Sequence, residues 1–326
     1  MRLAGLHPEI NLDALLAQFV PPPRFYGATF ASYRPDPCYP SQAEALRRLQ
    51  DWVHDRPKGL FRRKLPEPGG IYLDGGFGVG KTHLLVATYW DAPEPKAYLS
   101  FEELTYTVGL MGMAGAVEHF GRLQYLFIDE FELDDPGNAQ MVTNLLGQTM
   151  SKGLRVAATS NTQPEALGQG RFNADLFRIQ IQSLARRFVS LTLEGPDYRQ
   201  RDFVRLPKPM EPEELERLFL EETRPASYDP FAELFYLLRG LHPIRYRLLF
   251  EGLQVIYLEG LSPIEDQNDA LRFVHFIDKL YDRGLGLRAS GASLERIFPE
   301  SYRNGAFAKK YGRCLSRLAE LLSAKP

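Results

Sequence analysis

Residues 71–85 read IYLDGGFGVGKTHLL, an apolar strand pattern that runs into glycines and then into a lysine opening a helix pattern. Gly75, Gly80, Lys81 and Thr82 meet the spacing G-x-x-x-x-G-K-[ST] between a strand and a helix, the context a phosphate-binding loop requires. A chance glycine-rich turn would need neither neighbour. The residue types follow from the chemistry. Glycines let the backbone N–H groups of Gly75, Gly76, Phe77, Gly78, Val79, Gly80, Lys81, Thr82 and His83 turn inward around phosphate oxygens, and the helix N-terminus adds partial positive charge. Lys81 reaches the β and γ phosphates, and Thr82 offers its hydroxyl to Mg²⁺.

Strand and helix patterns alternate on both sides of this loop: SQAEALRRLQDWV from Ser41 as a first helix with Ala45, Leu46, Leu49 and Val53 at helical spacing, then GGIYLDG, GKTHLLVATYW, KAYLS, FEELTYTVGL, QYLFIDE, NAQMVTNLLGQTMSKG, RVAATSN, a helix within 174–186, and FVSLTLEG. Such alternation predicts an α/β fold, a parallel sheet with helices on both faces. YLFIDE then delivers Asp129 and Glu130 at the C-terminal end of a buried strand, where ligands of open α/β sheets sit. Asp129 is the expected metal-shell carboxylate, and Glu130 the group that polarises an attacking water. Asp134 and Asp135 read as capping residues ahead of Pro136. Ser160 and Asn161 end the next strand. Asn161 either holds the water or the γ-phosphate, or forms a turn.

The 326 residues, 44% hydrophobic and 25% charged with a formal net charge of −2, suit one large or two ordinary domains and exclude a chain drawn to polyanions by its overall charge. Cys38 and Cys314 belong to no zinc or disulfide spacing. No signal-peptide core or membrane-length apolar run is present, which predicts a cytoplasmic protein. The boundaries read as an arm over 1–40, broken by the prolines of VPPPRF, a nucleotide-binding core over 41–206, and a C-terminal module over 207–326 that is mainly helical with mixed α/β stretches. The strand–helix–strand run from Gln124 is echoed from Gln254 with one added residue. That echo is either coincidental or places the later strands in or beside the main sheet, and it lacks a glycine loop, so one nucleotide site is expected.

The order of glycine loop, IDE and TSN resembles the AAA+ P-loop ATPases. FIDEFEL, ATSNTQPEAL, ADLFRIQIQSLARRF, GPDYRQR, LRFVHFIDKLYDRG and CLSRLAELL follow, in order, the pattern of the ZapE family within them. The resemblance implies an ATPase using ATP and Mg²⁺, a nucleotide-dependent hexamer, and remodelling of a protein partner such as the division-ring polymer FtsZ. By matching position in LARRF, Arg187 becomes the arginine finger that enters a neighbouring subunit's site, with Arg186 as the alternative. Arg317, or Arg313, becomes the C-terminal arginine that senses nucleotide. The chain departs from the family in LSFEELTYTVGLMGMAG, where Gly109, Met111, Gly112, Met113 and Gly115 make either a loop facing a ring's channel or a helix-to-helix turn. RFYGATFASYRPDPCYPSQ is closer to helicase loaders and to a divergent branch of the family. A loader-like ATPase acting on nucleic acid through basic segments such as RRKLP and LRRLQ is therefore the rival reading. Phe25, Tyr39 and Gln42 of the arm are expected to recognise the adenine base.

Overall fold

Apolar runs four to six residues long and separated by helices have no way to bury both their faces except side by side in a parallel sheet covered on each side. The computed structural model, which describes residues 1–6, 8, 11–54, 69–76, 78–132, 136–162, 182–196, 206–305 and 307–323, has this arrangement. The chain divides into two compact units, one of Asn11–Pro21 and Phe25–Tyr198, the other of Met1–Ile10, Pro22–Arg24 and Arg199–Pro326.

In the first unit β1 (Gly70–Gly75), β2 (Lys96–Ser100), β3 (Tyr125–Asp129), β4 (Arg155–Thr159) and β5 (Phe188–Leu193) form one sheet in the order β2-β3-β4-β1-β5. Every pairing is parallel. Helices described in this unit include α1 (Leu12–Leu16), α2 (Pro40–His54), α3 (Lys81–Asp91), α4 (Phe101–Phe120) and α5 (Pro136–Met150). Ala45, Leu49, Trp52 and Val53 of α2 and Leu84, Leu85 and Val86 of α3 share a core with Ile71, Leu73, Tyr125 and Phe127. Pro136 opens α5 as expected, while Asp134 and Asp135 lie outside the described residues. So does most of the helix expected within 174–186, of which residues 182–185 are helical.

Ser100 caps α4 through a reciprocal box with Glu103, Ser100 Oγ accepting from Glu103 N and the Glu103 carboxylate accepting from Ser100 N. The glycine- and methionine-rich stretch is no loop. It continues α4 as two helical pieces joined at Gly112, whose φ of 69° and ψ of 162° interrupt the helix.

The second unit is mostly helical around a small sheet of its own. Strands β6 (Ala226–Pro230), β7 (Val255–Leu261) and β8 (Gly286–Gly291) run parallel in the order β6-β7-β8, accompanied by α6 (Pro212–Glu221), α7 (Phe231–Gly240), α8 (Gln267–Arg283) and α9 (Ala308–Ser323). The run echoed from Gln254 is thus a true strand–helix–strand unit, β7-α8-β8, as β3-α5-β4 is. Its strands pair with each other and with β6, in a sheet separate from the nucleotide unit's.

The expected arm over 1–40 is not one piece. Leu3 is fully buried in the core of the second unit, its N–H donating to Asp229 Oδ1 at 2.6 Å, and Met1 pairs along β6 through Tyr228 N at 3.1 Å. Arg24 joins the same unit, bonded to Glu320 and lying 3.8 Å above the Tyr281 ring. Residues 11–21, by contrast, belong to the nucleotide unit, where Phe19 O accepts from Tyr98 N of β2 at 2.9 Å. Alternating apolar and polar residues in a proline-broken stretch gave no sign of which core each would enter.

Candidate nucleotide site

The loop that follows β1 is pinned at both ends by contacts that exclude a side chain. A Cβ on Gly75, at φ +139°, would stand 2.3 Å from the Leu193 carbonyl of β5, and one on Gly80, at φ +95°, would stand 2.8 Å from the Tyr33 ring. Lys81, the first residue of α3, is 8% exposed. Its ammonium donates to the carbonyls of Gly75, at 2.8 Å, and Gly76. Burying an ammonium requires such partners, and the loop supplies them from its own backbone. Val79 puts its side chain into the core and so offers the loop only its backbone. Phe77 lies outside the described residues.

Because β4 lies between β1 and β3, the ends of all three strands converge beside the start of α3. Asp129 is the hub. Its Oδ1 accepts from Thr82 Oγ1 at 3.3 Å, from Glu130 N at 3.1 Å and from Thr159 Oγ1, and its Oδ2 accepts from the Tyr98 hydroxyl at 2.8 Å. Burial and the neighbouring Glu130 carboxylate push the Asp129 carboxyl up, against the hydrogen bonds that favour its charged form. Glu130 sits at φ +53°, a left-handed backbone uncommon outside glycine, held by donation of its N–H to Thr159 Oγ1 at 3.1 Å. The turn takes Glu130 away from the strand direction just beyond Asp129. Asn161 Nδ2 lies 3.5 Å from Glu132 Oε1, and the N–H of Ser160 before it bonds Leu73 O of β1 at 2.9 Å.

Thr82 and Asp129 supply an adjacent hydroxyl and carboxylate. Hard oxygens of this kind, next to phosphates, fit Mg²⁺. Among the described residues no group of three or more His, Cys, Asp or Glu side chains forms a metal site of another type.

The sequence reading missed Tyr98, Thr159 and Tyr33. The β2–β3 register, with Ser100 opposite Asp129 and Tyr98 opposite Phe127, is what turns Tyr98 and Asp129 to one face, and no local pattern in KAYLS announces it. Tyr33, 8% exposed, packs on Gly80 and 5.4 Å from the His83 ring; His83 Nε2 lies 3.1 Å from both Ser32 Oγ and Thr29 O. Gln42 corrects an expectation. Its amide is buried and bridges backbone, Nε2 donating to Glu194 O at 2.8 Å and Oε1 accepting from Asp36 N at 2.9 Å, so it ties the segment before α2 to the end of β5 and has those bonds in place of an adenine edge. Phe25 packs against the core and Tyr39 is half-buried.

Arg186 and Arg187 occupy the turn between residues 182–185 and β5, Arg186 exposed and Arg187 half-buried, with the Arg187 carbonyl accepting from Gly70 N at 3.0 Å. The C-terminal arginines expected to sense nucleotide lie on α9 in ion pairs. Arg317 is 7% exposed and pairs with Asp278, which also accepts from Arg313 at 2.7 Å; Arg317 further lies 4.9 Å from the Tyr281 ring. A buried carboxylate needs charge compensation, and these two arginines provide it inside their own unit. Of the basic segments, RRKLP lies outside the described residues, whereas Arg47 and Arg48 on α2 are paired with Glu44, and Arg47 with Asp51 as well.

The model of the AFG1-like ATPases matches residues 11–219 and 222–325. The chain belongs to this family. It is an ATPase, and the loop, Lys81 and the Asp129 hub form its candidate ATP site. The cell division protein ZapE of Escherichia coli K12 is similar, 26% identical over 357 aligned positions that cover 90% of this chain and 92% of that protein. The uncharacterized protein C115.02c of Schizosaccharomyces pombe is 25% identical, covering 84% and 79% respectively. Among solved structures, the DnaC helicase loader is 20% identical at a TM-score of 0.40, covering 53% of this chain and 99% of that one. No helix among the described residues of this AFG1-like ATPase is long and apolar enough to cross a membrane.

Proposed function

We propose that the protein is a Mg²⁺-dependent ATPase that converts hydrolysis into remodelling of a protein partner in bacterial cell division, with the FtsZ polymer as that partner. The observation that carries the Mg²⁺ part is the Thr82–Asp129 contact beside the buried Lys81. The division role draws its support from similarity to the E. coli cell division protein over nine-tenths of the chain. The nucleic-acid reading draws less, since the arginines of LRRLQ already have carboxylate partners.

In this mechanism the loop's N–H groups and the α3 N-terminus hold the phosphates, and Lys81 leaves the Gly75 and Gly76 carbonyls to neutralise the β and γ oxygens. Thr82 and Asp129 would hold Mg²⁺, which would supply positive charge to offset that on the transferred group. Glu130 orients and deprotonates the attacking water, and Asn161 holds that water or the γ-phosphate. Arg187 of one subunit completes the site of the next.

A pull-down with Glu130→Gln in the presence of ATP tests the partner, because that variant should hold the ATP-bound state. FtsZ is expected among the captured proteins, and wild-type protein with ATP should dissolve FtsZ bundles in co-sedimentation. Unaltered bundles, together with DNA binding that falls steeply with salt, would move the reading to a helicase-loader type.

A further inference from the structure

Tyr98 is a core aromatic with a polar end. Its ring is 4% exposed and packs edge-on to Tyr89 at a centroid distance of 6.0 Å, so removal of the hydroxyl would leave that packing in place. The hydroxyl points along the sheet to the strand ends, 2.8 Å from Asp129 Oδ2. The two oxygens of Asp129 are held unequally. Oδ1 receives Thr82, Thr159 and the Glu130 N–H, while Tyr98 is the donor to Oδ2 among the described residues. Rotation about the Cβ–Cγ bond moves both oxygens, so the bond at Oδ2 adds to those at Oδ1 in resisting it. Anchored at both, the carboxylate has one orientation, and here that orientation keeps Oδ1 against the Thr82 hydroxyl.

We infer that Tyr98 is a positioning residue for the metal-holding carboxylate: its hydroxyl locks the rotation of Asp129 so that Oδ1 and Thr82 Oγ1 present a ready pair of oxygens to Mg²⁺. The inference rests on the Mg²⁺ reading above and adds to it the element that sets the pair's geometry. β2 contributes nothing to phosphate binding through Tyr98. Its part is to remove the disorder that Asp129 would otherwise lose on taking up the ion. Partners of this outer kind are worth roughly 10- to 100-fold in metal affinity or activity.

The test is Tyr98→Phe, which deletes one oxygen and keeps the ring, checked for an unchanged melting temperature. Binding of a fluorescent, non-hydrolysable ATP analogue is titrated first in EDTA and then with rising Mg²⁺, and turnover is followed over the same Mg²⁺ range. The expected result is equal affinity in EDTA, a Mg²⁺ requirement raised roughly 10-fold or more, and a smaller change in kcat once Mg²⁺ saturates. Wild-type protein that responds to Mg²⁺ alongside a variant with the same requirement would overturn the role of Tyr98 and leave the Mg²⁺ reading standing. Equal weakening with and without Mg²⁺ would also overturn it, since a general packing role predicts that. Wild-type protein indifferent to Mg²⁺ would overturn both.

Discussion

In the proposed mechanism Glu130 and Lys81 act at successive moments, and substitutions separate them. Glu130→Gln keeps the shape and hydrogen-bonding reach of the side chain and removes the base, so nucleotide affinity should persist while turnover falls by roughly 10²–10⁴-fold, the usual weight of a positioned acid–base group. Near wild-type hydrolysis in that variant, measured as phosphate release, would take Glu130 out of the reaction. Lys81→Ala removes the cation that faces the phosphates. Loss of a charged hydrogen bond of this kind is worth about 1.5–3 kcal/mol, so binding should weaken roughly 10- to 100-fold. Calorimetric titration with ATP reads this directly, and unchanged affinity would count against the phosphate cradle.

At the scale of elements, two contacts between secondary structures carry measurable consequences. β1 approaches β5 so closely at Gly75 that a Cβ would meet the Leu193 carbonyl. Gly75→Ala should therefore destabilise the nucleotide unit by about 1–3 kcal/mol and shift the loop, seen as a lower melting temperature with weaker nucleotide binding. In the second unit α8 and α9 are joined through Asp278, Arg313 and Arg317, all with side chains about a tenth exposed or less. Burial pushes the Asp278 carboxyl up, but Arg313, Arg317 and His275 outweigh it and hold it at about 2. A carboxyl depressed in the folded state stabilises above its unfolded value, near 4, and loses that contribution as pH falls towards 2. The C-terminal unit should accordingly lose stability across that window. Asp278→Asn, which removes the buried carboxylate that Arg313 and Arg317 share, should cost about 3–5 kcal/mol at neutral pH and flatten the acid dependence; circular dichroism across pH 2–5 checks both.

For the whole molecule, the proposed role of Arg187 in a neighbouring subunit's site would make activity a property of an assembly. Arg187→Ala should bind ATP normally and lose roughly 10³-fold or more in turnover, and wild-type activity per subunit should rise with protein concentration. Mixing Arg187→Ala, whose own site is intact, with Glu130→Gln, whose finger is intact, should restore activity that neither has alone. Failure to complement where a ring is demonstrated, or activity flat on dilution, would place Arg187 in its own subunit's chemistry or outside it. The same mixture made with Arg186→Ala tells which of the two arginines reaches across.

The nucleotide apparatus was legible in the chain because its parts are local. A loop that must turn its N–H groups inward needs glycines at Gly75 and Gly80 whatever surrounds it, a buried parallel strand must read as an unbroken apolar run such as YLFI, and Asp129 and Glu130 stand where that run ends. The same locality made Thr82 and Lys81 readable beside one another. What the tertiary structure alone decided are the relations between distant segments. Tyr98 meets Asp129 only because β2 pairs with β3 in one register, Gln42 is consumed by backbone 152 residues away, and the arm is shared between two cores because Leu3 and Arg24 find partners in one and Phe19 in the other. Arg317 is paired with Asp278 on another helix, a partner its own helix does not announce. Sequence determines chemistry where the chain itself brings the groups together; where packing brings them together, register and burial settle which partner each polar group takes.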